Sequence, residues 1–241
     1  MMKKWLMMGM VAGLIGTGSM AQAEFSNAEV KELNRLFEVF INENPEKVRQ
    51  ALINLAEREV LERRAAGLAL VKNDEGDPFM GAGDDADIVI YEFSDYNCGY
   101  CKRVFQDLQT VLADDNKVRL VLKEFPILAQ SSMDAARASV AAHIQGKFER
   151  FHIGMMEWRG AIDMDTIMDV ARDADIDIEK LQADMQSDEV TNVIERTRYT
   201  AQELEISGTP ALVIGTELVP GAVSADEIKK IIAQEREKAG L

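Results

Sequence analysis

The chain has two cysteines in 241 residues, and that scarcity excludes a fold stapled by disulfides across distant loops. Both belong to one Cys-x-x-Cys unit, Cys98 and Cys101. A bridge over two intervening residues closes almost no loop, so it stabilises little by constraining the unfolded chain. There is no second cysteine pair, and the two histidines, His143 and His152, fall outside zinc-finger spacing. Basic charge is also short: 27 Lys and Arg stand against 42 Asp and Glu, a formal net charge of -15. Such a chain cannot neutralise phosphates, which excludes nucleic acid and anionic membrane surfaces as expected partners. Beyond the first two dozen residues no apolar run is long enough to span a bilayer. The chain is nevertheless 47% hydrophobic, which argues against wholesale disorder and suits one large domain with an appendage.

The first residues have the form of a targeting segment. Lys3 and Lys4 precede a mostly apolar stretch, and Ala21-Gln22-Ala23 fits the small-x-small cleavage rule. The competing reading, an uncleaved anchor, is weakened by the shortness of the stretch and by Gly9, Gly13, Gly16 and Gly18 within it. A cleaved signal peptide over residues 1–23 is expected, with export to the periplasm and no cytosolic reductant acting on the cysteine pair.

Residues 24–72 read as a two-helix arm. Ser26 and Glu29 form a capping-box pattern, and Val30, Leu33, Phe37 and Phe40 recur at helical spacing. Pro45, with Asn44 as its cap, opens a second helix carrying Val48, Leu52, Leu55 and Val60. Stripes of this kind need a partner surface, either the main domain or copies of the same arm. Residues 73–87 are polar and glycine-rich and read as a linker or a long turn. Ile88 to Phe93 then reads as a buried strand, Lys102 to Leu112 as a helix, and Val118 to Phe125 as a second strand. A helix-rich region over about 132–200 follows, then a hairpin around Gly215-Thr216 and a last helix capped by Ser224.

A strand leading into Cys-x-x-Cys at a helix start has a redox rationale. Unpaired backbone N–H groups and the helix dipole favour thiolate over thiol at Cys98. Cys101, one turn inside, is shielded and suits a resolving role. Lys102 is expected to add positive field at the helix start. Three other uses of the pair compete: half of a zinc site, a soft-metal site as in a copper-handling protein, and a purely structural bridge. Glu92, six residues before Cys98, is expected behind the cysteines, where burial would raise its pKa and let it take the Cys101 proton; the alternative is a charge at a sheet edge. Thr209-Pro210, just before the late hairpin, is expected to be a cis bond exposing the Thr209 backbone to an extended substrate.

These pieces resemble a known family. The run Phe93-Ser94-Asp95-Tyr96-Asn97-Cys98-Gly99-Tyr100-Cys101-Lys102, then Glu124-Phe125-Pro126-Ile127, Gly146-Lys147-Phe148 and Gly208-Thr209-Pro210-Ala211 are similar to the DsbA-like thioredoxin family over roughly residues 84–241. The resemblance implies an α/β thioredoxin fold with an inserted helical subdomain, and a protein disulfide oxidoreductase or isomerase without cofactor or metal. It assigns Cys98 as nucleophile, Cys101 as resolving thiol, Thr209 and Pro210 as the cis-proline loop, and Glu92 as the buried acid. Gly-Tyr replaces the Pro-His of the strongly oxidising member, so a less oxidising couple is expected. With its arm, the chain is also similar to ScsC-type suppressor-of-copper-sensitivity proteins, whose N-terminal stalk oligomerises the catalytic domains. That implies a homo-oligomer, dimer or trimer, acting on cysteines of exported proteins with a membrane redox partner.

Overall fold

The computed structural model describes residues 25–241, so the expected signal peptide at 1–23 lies outside the described residues. The chain divides into two compact units, one ending at Ala56 and one running Glu57–Leu241.

The first unit contains helix α1 (Asn27–Glu43) and the start of α2 (Pro45–Val71). The capping box at Ser26 forms: its backbone N–H donates to Glu29 at 2.8 Å, and the Glu29 N–H returns to Ser26 Oγ at 3.4 Å. Asn44 serves both helices: its carbonyl accepts from Val48 N–H at 3.2 Å at the start of α2, as expected of a cap, and its side-chain amide donates back to the Phe40 carbonyl at 2.9 Å, closing α1. No residue of α1 is buried. Leu33, Leu36, Phe37 and Phe40 line an open apolar depression of about 390 Å³.

The second unit is built on a five-stranded sheet in the order β1-β3-β2-β4-β5. Strand β2 (Ile88–Ser94), helix α3 (Gly99–Asp114) and strand β3 (Val118–Glu124) form the central strand-helix-strand unit, with β2 parallel to β3. Five helices follow: α4 (Gln130–Ile144), α5 (Phe148–Glu157), α6 (Met164–Asp173), α7 (Ile178–Asp184) and α8 (Asp188–Glu203). The hairpin of β4 (Ala211–Ile214) and β5 (Glu217–Pro220) adds antiparallel to β2, and α9 (Ala225–Ala239) ends the chain. Side chains alternate across the strands. Ile88, Ile90, Leu120 and Leu122 pack with α3 residues Val104, Phe105 and Leu108 in the larger core. Tyr91, Phe93 and Val121 point the other way, onto Val71 of α2 and Ala201 and Leu204 near the end of α8. The last turns of α2 therefore belong to the second unit. Gly67 is required there: a Cβ would sit 2.6 Å from Leu204 Cδ2.

Residues 73–87 are not the free linker expected. They contain strand β1 (Phe79–Gly81), which pairs antiparallel with β3 and covers its outer edge. Glycines and acids made the stretch look like a turn, but its backbone is bound into the sheet, with Leu122 N–H donating to Pro78 O at 2.8 Å. Asp77 is buried and ion-paired to the buried Lys123. Arg196 of α8 lies 3.3 Å from the same carboxylate, and Lys123 Nζ also donates to Asn73 O at 3.0 Å. Burial pushes the Asp77 carboxyl up and the Lys123 ammonium down, with their mutual attraction opposing both. Removing one partner strands the other charge in the core, which costs about 3–5 kcal/mol. Urea unfolding of Lys123→Met should show a loss of about that size, and Asp77→Leu in the same chain should recover much of it. A single variant as stable as the parent would show that this pair does not hold β1.

Candidate active site

The site begins where β2 ends. Phe93, buried against Phe125, anchors the strand, and Ser94 opens a turn closed by Cys98 N–H donating to the Asp95 carbonyl at 2.9 Å. The buried Asp95 carboxylate accepts four donors. Asn97 N–H and the Ser132 hydroxyl bind Oδ1 at 2.8 and 2.7 Å, and Ile127 and Leu128 N–H bind Oδ2 at 2.9 and 3.0 Å. This fixes the turn against the segment after β3 and the start of α4.

Cys98 is the N-cap of α3, in extended conformation, with no side-chain capping bond. Its sulfur therefore stands at a helix end whose first N–H groups lack intrahelical partners. Cys98 Sγ donates to the Thr209 carbonyl at 3.3 Å, which brings the residue pair before β4 to the cysteine. The Thr209–Pro210 peptide is cis. Both cysteines are free thiols, and Cys101 is fully buried one turn inside α3. Beside Thr209 and Pro210 a groove of about 310 Å³ runs between Ile206, Gly208, Leu218 and Pro220.

Glu92 lies mid-strand in β2, between Leu122 of β3 and Leu212 of β4, not at an edge. It shares the sheet face of Ile90, toward α3. It is fully buried and neither carboxyl oxygen has a hydrogen-bond partner. Burial pushes its pKa up to about 7; the Ser94 hydroxyl on the same face offsets part of this without closing a hydrogen bond. Burial likewise pushes the Cys101 thiol well up, and the Glu92 charge adds to it. Lys102 follows Cys101 in the first turns of α3. Its ammonium donates to Trp158 O at 2.8 Å, and burial and the Arg159 charge pull its pKa down.

Sequence reasoning missed a buried polar cluster beside the motif. The Tyr96 hydroxyl lies 3.2 Å from Glu124 Oε1, 2.9 Å from Ser139 Oγ and 2.8 Å from His152 Nδ1. His152, the residue weighed above as a zinc ligand, is thus engaged with a phenol and packed by Phe105 and Phe148. Asp95 had a usable signal, an Asx-type side chain two residues before a backbone N–H. Glu124 and His152 had none, because only the fold brings them together. Among the described residues no group of three or more His, Cys, Asp or Glu side chains is gathered as a metal site. No described helix is long and apolar enough to cross a membrane.

Residues 89–233 match the DSBA-like thioredoxin domain. The chain belongs to that family and is a thiol–disulfide oxidoreductase. Among solved structures it is similar to a thioredoxin-like oxidoreductase from Silicibacter pomeroyi DSS-3, at 38% identity and a TM-score of 0.67, over 70% of this chain and 96% of that one. It is also similar to Proteus mirabilis ScsC in a transitional conformation, at 27% identity and a TM-score of 0.68, over 89% of this chain and all of that one (100%). Among curated relatives, the probable disulfide bond formation protein D of Bacillus cereus is 25% identical over 171 residues, 64% of this chain and 77% of the relative. The Na(+)/H(+) antiporter NhaA of Herminiimonas arsenicoxydans matches at 25% identity over 179 residues, and there the chain spans 28% of the relative's length.

Glu92 gives a pH test. Its folded pKa of about 7 exceeds its ordinary value of 4.5, so its contribution to stability is complete below the lower value and is lost as pH rises through the upper one. The reduced protein should therefore weaken across that window. Urea unfolding of Glu92→Gln at a series of pH values should show a flatter dependence. Its advantage over the parent should grow to at most about 3 kcal/mol on the alkaline side. An unchanged slope would mean that another group carries the effect.

Proposed function

We propose that this protein is exported to the periplasm and forms or isomerises disulfides in other exported proteins through its Cys-Gly-Tyr-Cys dithiol. The observation that carries the reading is Cys98 at the start of α3, with its sulfur 3.3 Å from the Thr209 carbonyl and Cys101 buried behind it. In oxidation, a substrate thiolate attacks Cys98 Sγ of the enzyme disulfide. Cys101 leaves and takes up a proton from Glu92, and a second substrate thiolate attacks the substrate sulfur of the mixed disulfide, releasing substrate disulfide and reduced enzyme. In isomerisation, the reduced enzyme starts from the other side: Cys98 attacks a substrate disulfide, and the freed substrate thiolate attacks elsewhere before Cys98 is displaced. Thr209 and Pro210 would present the ledge on which an extended substrate segment lies, with the groove beside them taking its neighbouring side chains. The name of the Bacillus cereus relative, probable disulfide bond formation protein D, supports the direction of this reading; the leader-like pattern of residues 1–23 supports the location.

Iodoacetamide trapping with a cysteine-containing substrate distinguishes the two thiols. Cys101→Ala should accumulate mixed disulfides, because the resolving sulfur is gone, and Cys98→Ala should accumulate none. Trapping on Cys101 instead would reverse the assignment.

The arm at 24–72 is proposed to assemble the protein into a dimer or trimer. What supports this is the exposed row Leu33, Leu36, Phe37 and Phe40 on a helix with no buried residue. Covering a Leu or Phe side chain stabilises by roughly 1.5–3 kcal/mol, so four such positions provide enough for association. Several active sites around one misfolded substrate favour repeated attack, and hence reshuffling, over a single oxidation. Light scattering should give an oligomer for the mature chain and a smaller particle for Leu33→Glu with Phe37→Glu. A monomeric mature chain would remove the assembly and its purpose together.

A further inference from the structure

Cys98 is held more firmly from the turn before it than from the helix after it. Its N–H closes the turn on the Asp95 carbonyl at 2.9 Å, and its carbonyl accepts the Lys102 N–H at 3.1 Å to begin α3. Next along the chain, Gly99 has no side chain to pack and Tyr100 is 58% exposed, so neither anchors the helix start in the core. Asn97, the half-buried residue before Cys98, reaches the other way. Its side-chain Nδ2 donates to Ser131 Oγ at 3.0 Å and to Ser132 Oγ at 2.9 Å, both in the first turn of α4.

Asp95 fixes which way that amide points. Ser132 has one O–H, and it donates to Asp95 Oδ1 at 2.7 Å, the oxygen that also accepts the Asn97 N–H at 2.8 Å. Ser132 Oγ can therefore only accept from Asn97, and the amide atom facing it is the nitrogen. A closed ring results, running from the Asn97 backbone through Asp95 and Ser132 to the Asn97 side chain, with Ser131 taking the second amide hydrogen. The N-cap of α4, Ala129, makes no side-chain capping bond, and the hydroxyls of its first turn serve the active-site turn instead.

We propose that Asn97 is a positioning residue of the thiol couple: its amide clips the turn that carries Cys98 to α4, holds Cys98 in place in the reduced protein, and so sets the redox equilibrium of the pair. The inference rests on the reading of Cys98 and Cys101 as one dithiol–disulfide couple.

The two redox states need the clip unequally. A Cys98–Cys101 bond ties the Cys98 side chain covalently to α3, with the narrow geometry of a disulfide. In the dithiol no such bond exists, and Cys98 keeps its place through noncovalent restraints alone. Loss of the clip therefore loosens the reduced state more than the oxidised one and weakens it relative to the disulfide. A clip of merely structural value would weaken both states alike and leave the equilibrium between them unmoved.

The full-length protein equilibrated in mixtures of reduced and oxidised glutathione measures this. Two glutathione thiols give up two electrons and two protons and join as one glutathione disulfide; the Cys98–Cys101 bond takes both and becomes two thiols. The reduced fraction is counted by alkylation and mass. The net contribution of one hydrogen bond amounts to a factor of up to about ten. Asn97→Ala loses two, and should lower the equilibrium constant for reduction about tenfold, a shift of about 30 mV toward a more reducing couple. Ser131→Ala removes one acceptor at a distance from Asp95. It should shift less in the same direction, and it stands in should the variant at Asn97 not fold. The melting temperature of Asn97→Ala should fall further in the reduced than in the oxidised protein. An equilibrium constant unchanged in both variants, or moved in the opposite direction, would overturn the role of Asn97 and leave the proposed function standing. A wild-type protein that forms no Cys98–Cys101 disulfide in oxidised glutathione would instead remove the couple itself, and the role of Asn97 with it.

Discussion

The Asp95 carboxylate holds the active-site turn. Its two oxygens take donors from three separate pieces of chain: Asn97 in the turn itself, Ile127 and Leu128 after β3, and Ser132 at the start of α4. Its backbone carbonyl at the same time takes the N–H of Cys98. Charge-assisted bonds of this kind are shorter and stronger than neutral ones, and four on one buried group leave it a single orientation. The consequence is positional. Cys98 is delivered to the end of α3, and the inserted helices are registered against the same turn through α4. The cysteine therefore owes its place to groups on both sides of β3 and at the start of the insertion, not to the motif alone.

Thr209 completes the arrangement from far along the chain. Residues 98 and 209 are joined by a contact between the Cys98 sulfur and the Thr209 carbonyl, and that contact needs the β4–β5 hairpin to sit against β2. Pairing of Glu92 with Leu212 and Phe93 with Ala211 sets this register. A one-residue slip of β4 would turn Leu212 and Ile214 out of the core and carry Thr209 away from the sulfur together. The buried acid and the carbonyl that meets Cys98 Sγ are thus placed by the same ladder of hydrogen bonds.

Much of this was legible in the chain itself. The central strand-helix-strand unit, the helical insertion, the late hairpin and the Ser26 and Ser224 caps all follow from local pattern, because alternation, helical spacing and capping chemistry are short-range signals. The cysteine pair could be read because its spacing and its place after an apolar strand are both local. What could not be read is what depends on distant contacts. Residues 73–87 look like a linker from their glycines and acids, and become a sheet edge because Lys123 and Arg196, at far positions, neutralise Asp77. Asn44 begins α2 through its carbonyl, as its place before Pro45 suggests, but that its side chain also turns back to close α1 on the Phe40 carbonyl is not a signal that spacing carries. Tyr96, Glu124, Ser139 and His152 come from four separate stretches, and no spacing rule joins them.

The buried acids differ in what the fold gives them, and the difference separates structure from chemistry. Asp95 receives four hydrogen-bond donors and fixes geometry. Asp77 receives a lysine and an arginine and fastens β1 and α8 to the sheet. Glu124 receives the Tyr96 phenol and the Ser139 hydroxyl, neither of them charged. Glu92 receives no hydrogen bond at all, although it stands in the central strand. An unpaired carboxyl in the core is destabilising, since its charged form loses solvation with nothing in exchange. A lysine beside Glu92 would relieve that cost, but would also pull its pKa back toward the ordinary carboxylate range and leave a weak base at neutral pH. The instability is the source of its proton affinity. A fold able to supply partners to Asp95 and Asp77 withholds them from Glu92, whose charge acts on Cys101, and a group that gains and loses a proton near neutrality is what the role proposed for Glu92 would use.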